Sequence, residues 1–172
     1  MLLASRGAKV AIADMNEANL ARVKASIEAL GGEAITIRCN VTNDDEIANM
    51  VKQTVDAFGR LDCAVNNAGI TGPIGPLVDF DLGAARDIIA IDLTSVIACM
   101  QAELRAMLPN GSGAIVNTCS IWGLVAGGNY LAYTAAKHGV VGATRAAALE
   151  TATAGGRGNG IAPGFTEAPR VP

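Results

Sequence analysis

Short apolar runs alternate along the chain with longer stretches in which apolar residues recur at helical spacing. The apolar runs predict four buried strands, at residues 9–13, 34–38, 61–65 and 114–118. The longer stretches predict helices over residues 17–30, from residue 42 onwards, over 79–108 and over 131–151. A short fifth strand is predicted at residues 159–162. Strands and helices that alternate with short connections predict a parallel α/β sheet.

Three consecutive acidic residues, Asp44, Asp45 and Glu46, stand at the start of the helix predicted from Thr42. Carboxylates in the first turn of a helix complement the positive end of its dipole. A metal site is the alternative, but no His or Cys ligand set accompanies these residues. We therefore interpret them as a helix cap and predict no metal site.

Composition agrees with one domain that has an aliphatic core. The chain has 172 residues, of which 51% are hydrophobic and 3% aromatic. A net charge of −3 gives no basic surface for nucleic acid. The four cysteines are dispersed, as in proteins of a reducing compartment. No apolar run approaches the ~18 residues of a membrane span and the first residues lack a signal-peptide core, so we expect a cytoplasmic protein without membrane association.

The candidate chemistry lies in Tyr133-Thr-Ala-Ala-Lys137, with Ser120 on the loop after the fourth strand. On a helix, Tyr133 and Lys137 are one turn apart on one face. A phenol has an unperturbed pKa of about 10, and a fixed ammonium nearby favours the phenolate, which makes tyrosine a usable acid or base near neutral pH. Ser120 is placed to orient the same oxygen. These residues suit proton transfer on an alcohol or carbonyl oxygen, although the Tyr–Lys pair alone also fits an ordinary helix surface.

The surrounding sequence resembles the short-chain dehydrogenase/reductase family. The resemblance rests on Gly113-Ala-Ile-Val-Asn-Thr-Cys-Ser-Ile-Trp-Gly123 before the Tyr133 motif, on Asn66-Asn67-Ala68-Gly69, and on Ala162-Pro163-Gly164. These segments follow the family's order and cover almost the whole chain. The resemblance implies a doubly wound, Rossmann-like sheet and an oxidoreductase that transfers hydride between NAD(H) and a secondary alcohol or ketone. Tyr133 would exchange the proton, Lys137 would favour its phenolate and hold the nicotinamide ribose, and Ser120 would position the substrate oxygen.

Asp14, at the end of the first strand, is the candidate for cofactor selection. An acidic residue at this place accepts hydrogen bonds from ribose hydroxyls and repels a 2′-phosphate. Met15 and Asn16 supply no positive charge, so NAD is favoured over NADP. The alternative is an aspartate that caps the following helix.

The other predicted cofactor contacts lie at the carboxyl ends of strands, where open α/β sheets bind ligands. Asn40-Val41 replaces the family's usual Asp-Val beside the adenine. In Asn66-Asn67-Ala68-Gly69, Ala68 and Gly69 permit close backbone approach to a cofactor, and the amides suit bracing of the central sheet. The alternative is an Asx turn with a helix cap. The complete predicted set is Asp14, Asn40, Val41, Asn66, Ala68, Gly69, Tyr133, Lys137, Pro163 and Gly164.

Asp92 stands where the family usually has an asparagine that holds a proton-relaying water. We include it with Ser120, Tyr133 and Lys137 in the predicted catalytic set. A carboxylate here also holds a water, but it stabilises Lys137 as an ammonium and so blunts the relay.

Two further departures concern the end of the chain. Gly158 and Gly160 replace apolar strand residues, which predicts a loose sheet edge. Ala168 stands where a threonine commonly reaches the nicotinamide carboxamide.

The family's first strand, its glycine-rich phosphate loop and its C-terminal segment have no counterpart in this sequence. We therefore expect residues 1–172 to form a single partial Rossmann-like domain, with an open slot between the strands around Val10 and Ala64 and weakened NAD binding. A non-catalytic fragment or scaffold that cannot bind dinucleotide is the alternative function. An epimerase or dehydratase of the extended family is a third.

The resemblance also implies a homodimer or homotetramer built through the two long helices, with Ile97, Met100, Val140 and Ala147 on their outer faces. The expected substrate is a small alcohol or ketone. Trp122, Leu124 and Tyr130 either line its pocket or seal the loop. We interpret His138 as a packed or solvent-facing residue, because it points roughly 100° away from Lys137 on the helix.

Overall fold

The computed structural model describes residues 1–166, in which helices and strands alternate as the sequence predicts. The helices are α1 (Leu2–Ser5), α2 (Glu17–Glu28), α3 (Asp44–Phe58), α4 (Leu82–Ile89), α5 (Ser95–Met107) and α6 (Leu131–Thr151). The strands are β1 (Val10–Asp14), β2 (Ala34–Arg38), β3 (Cys63–Asn66), β4 (Gly113–Thr118) and β5 (Gly156–Ile161). Ala168 lies outside the described residues. None of the helices within the described part is long and apolar enough to span a bilayer.

The strands form two parallel sheets. In the first, β1 pairs with β2, and in the second, β4 lies between β3 and β5. Within residues 1–166, β1 and β3 are not hydrogen-bonded to each other, so the two sheets remain separate at the predicted open slot. The α/β class and the parallel sheet are confirmed.

Helices α5 and α6 cover the second sheet with the largest apolar core. Its buried members are Val96, Met100, Met107, Ile115, Cys119 and Val140. The prediction that Met100 and Val140 face outward is wrong, because their sides of α5 and α6 pack on β4; Ala147 packs at the margin of the same core. Ile97, about 100° around the helix from Val96, is exposed as predicted.

The predicted helix over residues 79–108 is interrupted. Asp81 caps α4 by accepting hydrogen bonds from the amides of Gly83 and Ala84. Between α4 and α5, Ala90–Thr94 forms one turn of π-helix that contains Asp92. Such bulges insert an extra residue into a turn and are frequent at functional sites.

The cap interpretation of the acidic cluster is confirmed. Asn43, not Thr42, is the cap residue, and its side chain accepts hydrogen bonds from the amides of Asp45 and Glu46. The helix α3 ends at Gly59, whose φ of 82° is unfavourable for residues with a side chain.

Strand β5 is longer than predicted and pairs with β4 from Gly113 opposite Gly156 to Thr118 opposite Ile161. A Cβ atom on Gly160 would lie 2.9 Å from the Sγ atom of Cys119. Gly160 therefore allows close packing of this strand, and the continuous pairing of β5 with β4 does not show the loose edge expected from Gly158 and Gly160.

Candidate active site

The loops after β4 and β5 are joined beside Ser120. The Cys119 amide donates to the Ile161 carbonyl at 2.8 Å, and the Ile121 amide donates to the Pro163 carbonyl at 2.9 Å. Ser120 is 9% exposed, and its Oγ atom accepts a hydrogen bond from the Trp122 amide at 3.2 Å. The hydroxyl hydrogen stays available for another acceptor.

Helix α6 has the predicted bounds and carries Tyr133 and Lys137 at the end of β4. The Lys137 side chain is 4% exposed, and its Nζ atom donates to the Thr118 carbonyl at 3.2 Å. The same Nζ atom lies 5.4 Å from the centre of the Tyr133 ring. The backbone of β4 therefore fixes Lys137 next to Tyr133.

The short turn Ile121–Gly123 packs tightly against α6. A Cβ atom on Gly123 would lie 2.7 Å from the Lys137 carbonyl oxygen, so only glycine allows this approach. The Trp122 ring meets the Tyr133 ring edge-on, with 6.0 Å between centres and an angle of 85°. The structure thus brings Ser120, Tyr133 and Lys137 to the carboxyl end of β4.

Asp92 is fully buried and contacts Lys137. Its Oδ2 atom lies 3.2 Å from the Lys137 Nζ atom, in an ion pair without a well-directed hydrogen bond. Its Oδ1 atom accepts a hydrogen bond from the Ile70 amide at 2.7 Å. Burial raises the pKa of the Asp92 carboxyl, and the Ile70 amide and the Lys137 ammonium oppose that rise.

The Asp92 carboxylate packs closely against the backbone of Gly69. A Cβ atom at Gly69 would lie 3.1 Å from the Asp92 Oδ2 atom. The contact between the loop after β3 and Asp92 was not predicted, because sequence spacing does not reveal which loop meets a helix over such a separation.

The Asn66 side chain braces the second sheet. Its Nδ2 atom donates to the Asn117 Oδ1 atom at 3.0 Å and to the Glu103 Oε2 atom at 3.1 Å. Asn117 in turn donates to the Thr144 hydroxyl at 2.9 Å. Asn66 therefore serves the bracing role that the sequence suggested, while Ala68 and Gly69 are exposed beyond it.

Glu103 was missed by the sequence reasoning. It is 3% exposed, and burial raises the pKa of its carboxyl to about 7, against the lowering effect of the Asn66 hydrogen bond. The available signal was its position on the apolar face of α5, one turn after Cys99 and two turns after Val96.

At the first sheet, Asp14 is exposed at the end of β1, and its Oδ1 atom accepts a hydrogen bond from the Asn16 amide at 2.9 Å. Arg38 lies opposite Asp14 in the register of β2. The Arg38 guanidinium is 3.6 Å from Glu46 and 3.9 Å from Glu17. Arg38 was also missed, because only the residues that follow Asp14 in sequence were considered.

The other residues predicted to contact the cofactor differ in how accessible they are to a ligand. The Asn40 Oδ1 atom already accepts hydrogen bonds from the amide and the hydroxyl of Thr42, at 3.1 and 2.9 Å, so its amide NH₂ is the group left for a ligand. Val41 is half-buried in the α3 and α5 packing. Pro163 is half-buried, and Gly164 has open space beside it.

An open depression of about 500 Å³ lies between the loop of residues 126–129 and the first turns of α6, next to the polar cluster of Ser120, Tyr133, Lys137 and Asp92. It is lined by Gly75, Leu77, Ala126, Gly127, Gly128, Asn129, Leu131, Thr134, Ala135 and His138, and not by Ser120, Tyr133 or Lys137. The polar cluster, because of its chemistry, is the better candidate site. His138 is exposed there, with Nδ1 2.9 Å from the Thr134 carbonyl oxygen, which agrees with its predicted solvent-facing position.

A family model described as enoyl-(acyl carrier protein) reductase matches residues 1–171. The chain is 44% identical to the cis-4-hydroxycyclohexanecarboxylate dehydrogenase of Sinomonas cyclohexanicum, over 99% of this chain and 68% of that protein. It is 40% identical to the cyclohexanol dehydrogenase of an Acinetobacter species, over 99% of this chain and 68% of that protein.

Among solved structures, an NAD⁺-bound xylitol dehydrogenase superposes with a TM-score of 0.93 at 33% identity, over 95% of this chain and 63% of that one. A levodione reductase superposes with a TM-score of 0.92 at 37% identity, over 95% of this chain and 64% of that one. The chain spans about two thirds of the length of these relatives.

Proposed function

The chain belongs to the short-chain dehydrogenase/reductase family, a family of oxidoreductases, and we propose that it interconverts secondary alcohols and ketones with NAD(H). The observation that carries this proposal is the fixed position of Lys137. Its ammonium is held by the Thr118 carbonyl and the Asp92 carboxylate, one helical turn from Tyr133.

In the proposed reaction, the Tyr133 oxygen removes the proton from the substrate hydroxyl. Lys137 favours the phenolate that this step requires, because an ammonium close to the ring stabilises negative charge on it. The Ser120 hydroxyl orients the substrate oxygen. The dinucleotide, when bound, supplies the nicotinamide ring that accepts hydride from the carbinol carbon.

Residues of both sheets would hold the dinucleotide. Asp14 would offer its second carboxylate oxygen to the ribose hydroxyls, and Lys137 and Gly164 would contact the nicotinamide end. Two observations favour NAD over NADP: the Asp14 charge would repel a 2′-phosphate, and the Arg38 charge is shared between Glu17 and Glu46. The remaining contacts proposed are Asn40, Val41, Asn66, Ala68, Gly69, Tyr133 and Pro163.

We assign Asp92 the role of positioning Lys137. Its carboxylate joins the ammonium of Lys137 to the Ile70 amide, and so links α6 to the loop after β3. A buried ion pair of this kind fixes geometry even where it adds little net stability.

The four thiols support a reducing compartment, which for this family favours the cytoplasm. Cys39, Cys63, Cys99 and Cys119 are all free in the structure.

We also propose association of two or more copies through α5 and α6. Ile97, Leu131 and Leu149 are exposed apolar side chains on these helices. Light scattering at micromolar concentration tests this, and a monomeric mass would contradict it.

A scaffold function without cofactor binding is the second candidate. It is favoured by the missing hydrogen bonds between β1 and β3 within residues 1–166, since a dinucleotide held by both sheets would cross that slot. Titration of the chain with NADH, followed by nicotinamide fluorescence, separates the two functions. Saturable binding supports the oxidoreductase, and none supports the scaffold.

The chemistry itself is tested with cyclohexanol that carries deuterium on the carbinol carbon. Direct hydride transfer predicts that the NADH formed contains the deuterium, as mass spectrometry would show. NAD that stays unreduced, or NADH without the label, would contradict the proposal.

A further inference from the structure

We propose that the substrate is an uncharged, apolar ketone or secondary alcohol, bound against the indole ring of Trp122, and that the site discriminates against anionic substrates. The inference rests on the proposed function and names its substrate class. It comes from the arrangement of three segments around Ser120 and Tyr133.

Residues 119–136, 70–78 and 161–166 meet at this end of the sheet. The Gly75 amide donates to the Asn129 carbonyl at 3.1 Å, which joins the first two segments. The Ile121 amide bonds to Pro163 at 2.9 Å, which joins the first and third. The Trp122 and Phe165 rings add an edge-on contact, with 6.4 Å between centres.

None of these three segments contains Asp, Glu, Lys, Arg or His. The two charged side chains of the cluster, Lys137 and Asp92, are buried and paired with each other at 3.2 Å. A carboxylate or phosphate placed against these segments would lose hydration without gaining a counter-ion from them, and burial of an unpaired charge is costly.

The Trp122 ring is held in place. The Tyr130 ring lies 4.0 Å from it, centre to centre, and a Cβ atom on Gly127 would lie 2.7 Å from the indole. An indole packed in this way presents a preformed apolar surface, so a ligand would not have to order it.

Apolar side chains continue this surface into solvent. Leu124 is 57% exposed, Val125 is 54% exposed and Phe165 is 97% exposed. Covering exposed apolar surface with an apolar ligand stabilises the complex, because that surface is removed from water. The chemistry of the surface therefore favours a hydrocarbon skeleton beside the reacting oxygen.

Trp122 is the single tryptophan of the chain, so its fluorescence reports binding at this surface whether or not turnover occurs. Cyclohexanone and 4-oxocyclohexanecarboxylate form a matched pair that differs by one carboxylate. We expect saturable quenching by cyclohexanone, with a dissociation constant at least about tenfold below that of the carboxylate. Equal or tighter binding of the carboxylate would overturn the proposal, as would the absence of saturable quenching by either ketone.

Substitutions at an exposed position locate the effect. Leu124→Lys should tighten binding of the carboxylate about tenfold, in a salt-sensitive way, because it adds the missing counter-ion. Leu124→Gln controls for polarity, and Leu30→Lys adds the same charge at a similarly exposed position just after α2. If both lysine variants change binding equally, the Trp122 surface is not the binding site and the proposal fails.

The outcomes of these experiments distinguish failure of the proposed function from failure of the proposed substrate class. Cyclohexanone binding at Trp122 without NAD-linked turnover would contradict the proposed function alone. Turnover and binding that both prefer the carboxylate would leave the oxidoreductase in place and overturn the substrate class.

Discussion

Glu103 is a carboxylic acid that the fold buries beside uncharged neighbours. The groups against it are Asn66, which donates a hydrogen bond, and the thiol of Cys99 on the same helix. Burial raises the pKa of the Glu103 carboxyl from an ordinary 4.5 to about 7. Burial also raises the pKa of the Cys99 thiol to about 12, and the charge of the Glu103 carboxylate adds to that rise. Ionisation of Glu103 is therefore easier in the unfolded chain than in the folded one.

The consequence is a pH-dependent stability. The pKa of Glu103 is higher in the folded chain than in the unfolded chain. Its ionisation therefore does not reduce the free energy of unfolding below about pH 4.5, and stability is lost as the pH rises through about 7. Glu103→Gln should remove this loss and raise the free energy of unfolding at pH 8 by up to about 3 kcal/mol, with little change at pH 4.5. Urea denaturation at both pH values measures it. Glu150→Gln, at an exposed position, is the control, and an unchanged pH dependence in Glu103→Gln would contradict the prediction.

A second prediction concerns the buried ion pair of Asp92 and Lys137. In Asp92→Asn, the carboxamide oxygen keeps the Ile70 hydrogen bond, but Lys137 loses its counter-charge. Lys137 keeps its hydrogen bond to the Thr118 carbonyl, so the loss of stability in Asp92→Asn should be limited to the lost charge pair. Asp92→Ala also leaves the Ile70 amide without its acceptor, so it should destabilise the chain by about 3–5 kcal/mol and by more than Asp92→Asn. Urea denaturation of the two variants measures this, and equal losses of stability would contradict the prediction.

The sequence alone predicted those approaches between side chains that depend on local spacing. Tyr133 and Lys137 are one turn apart on a helix, and Ser120 follows a strand, so their approach follows from helix and strand geometry. Arg38 beside Asp14 and Glu103 beside Asn66 depend on strand pairing and helix packing between distant segments. A local pattern does not contain that information.

At the scale of elements, the contact between the turn Ile121–Gly123 and α6 holds the candidate site together. Gly123→Ala would drive a Cβ atom into the Lys137 carbonyl, which is backbone and cannot move aside cheaply. We expect a loss of about 1–3 kcal/mol of stability and a lower kcat/KM, because Ser120 moves away from Tyr133. Gly128→Ala, in the same loop with open space around it, should resemble the wild type. Thermal unfolding and kinetics of the two variants test this; equal behaviour would contradict it.

Local sequence signals predicted some boundaries of helices and strands but not others. The bounds of β2 and α6 were predicted correctly, since apolar periodicity and glycine signals mark them. The π-turn at Ala90–Thr94 and the full length of β5 were not predicted. The π-turn leaves no local signal in the apolar pattern, and β5 contains glycines whose pairing with β4 replaces strand propensity.

At the scale of the whole molecule, the two sheets hold different parts of the proposed site. Asp14 and Asn40 end strands of the first sheet, whereas Ser120 follows β4 in the second. Packing of α3 on α5, through Ile47 and Cys99, joins the two halves. The parallel α/β class could be predicted from the alternation of elements, and the resemblance to a family with a strand between β1 and β3 predicted the open slot.

We propose that Tyr133 exchanges the substrate proton in an NAD-linked reaction. The most direct test is the rate of NADH formation from cyclohexanol by Tyr133→Phe, compared with Tyr130→Phe, which removes the hydroxyl of the other tyrosine but keeps its ring against Trp122. We predict that kcat/KM falls at least about 100-fold in Tyr133→Phe, as expected for loss of a general acid/base, and changes little in Tyr130→Phe. Activity of Tyr133→Phe that stays within a few-fold of the wild type would contradict the account.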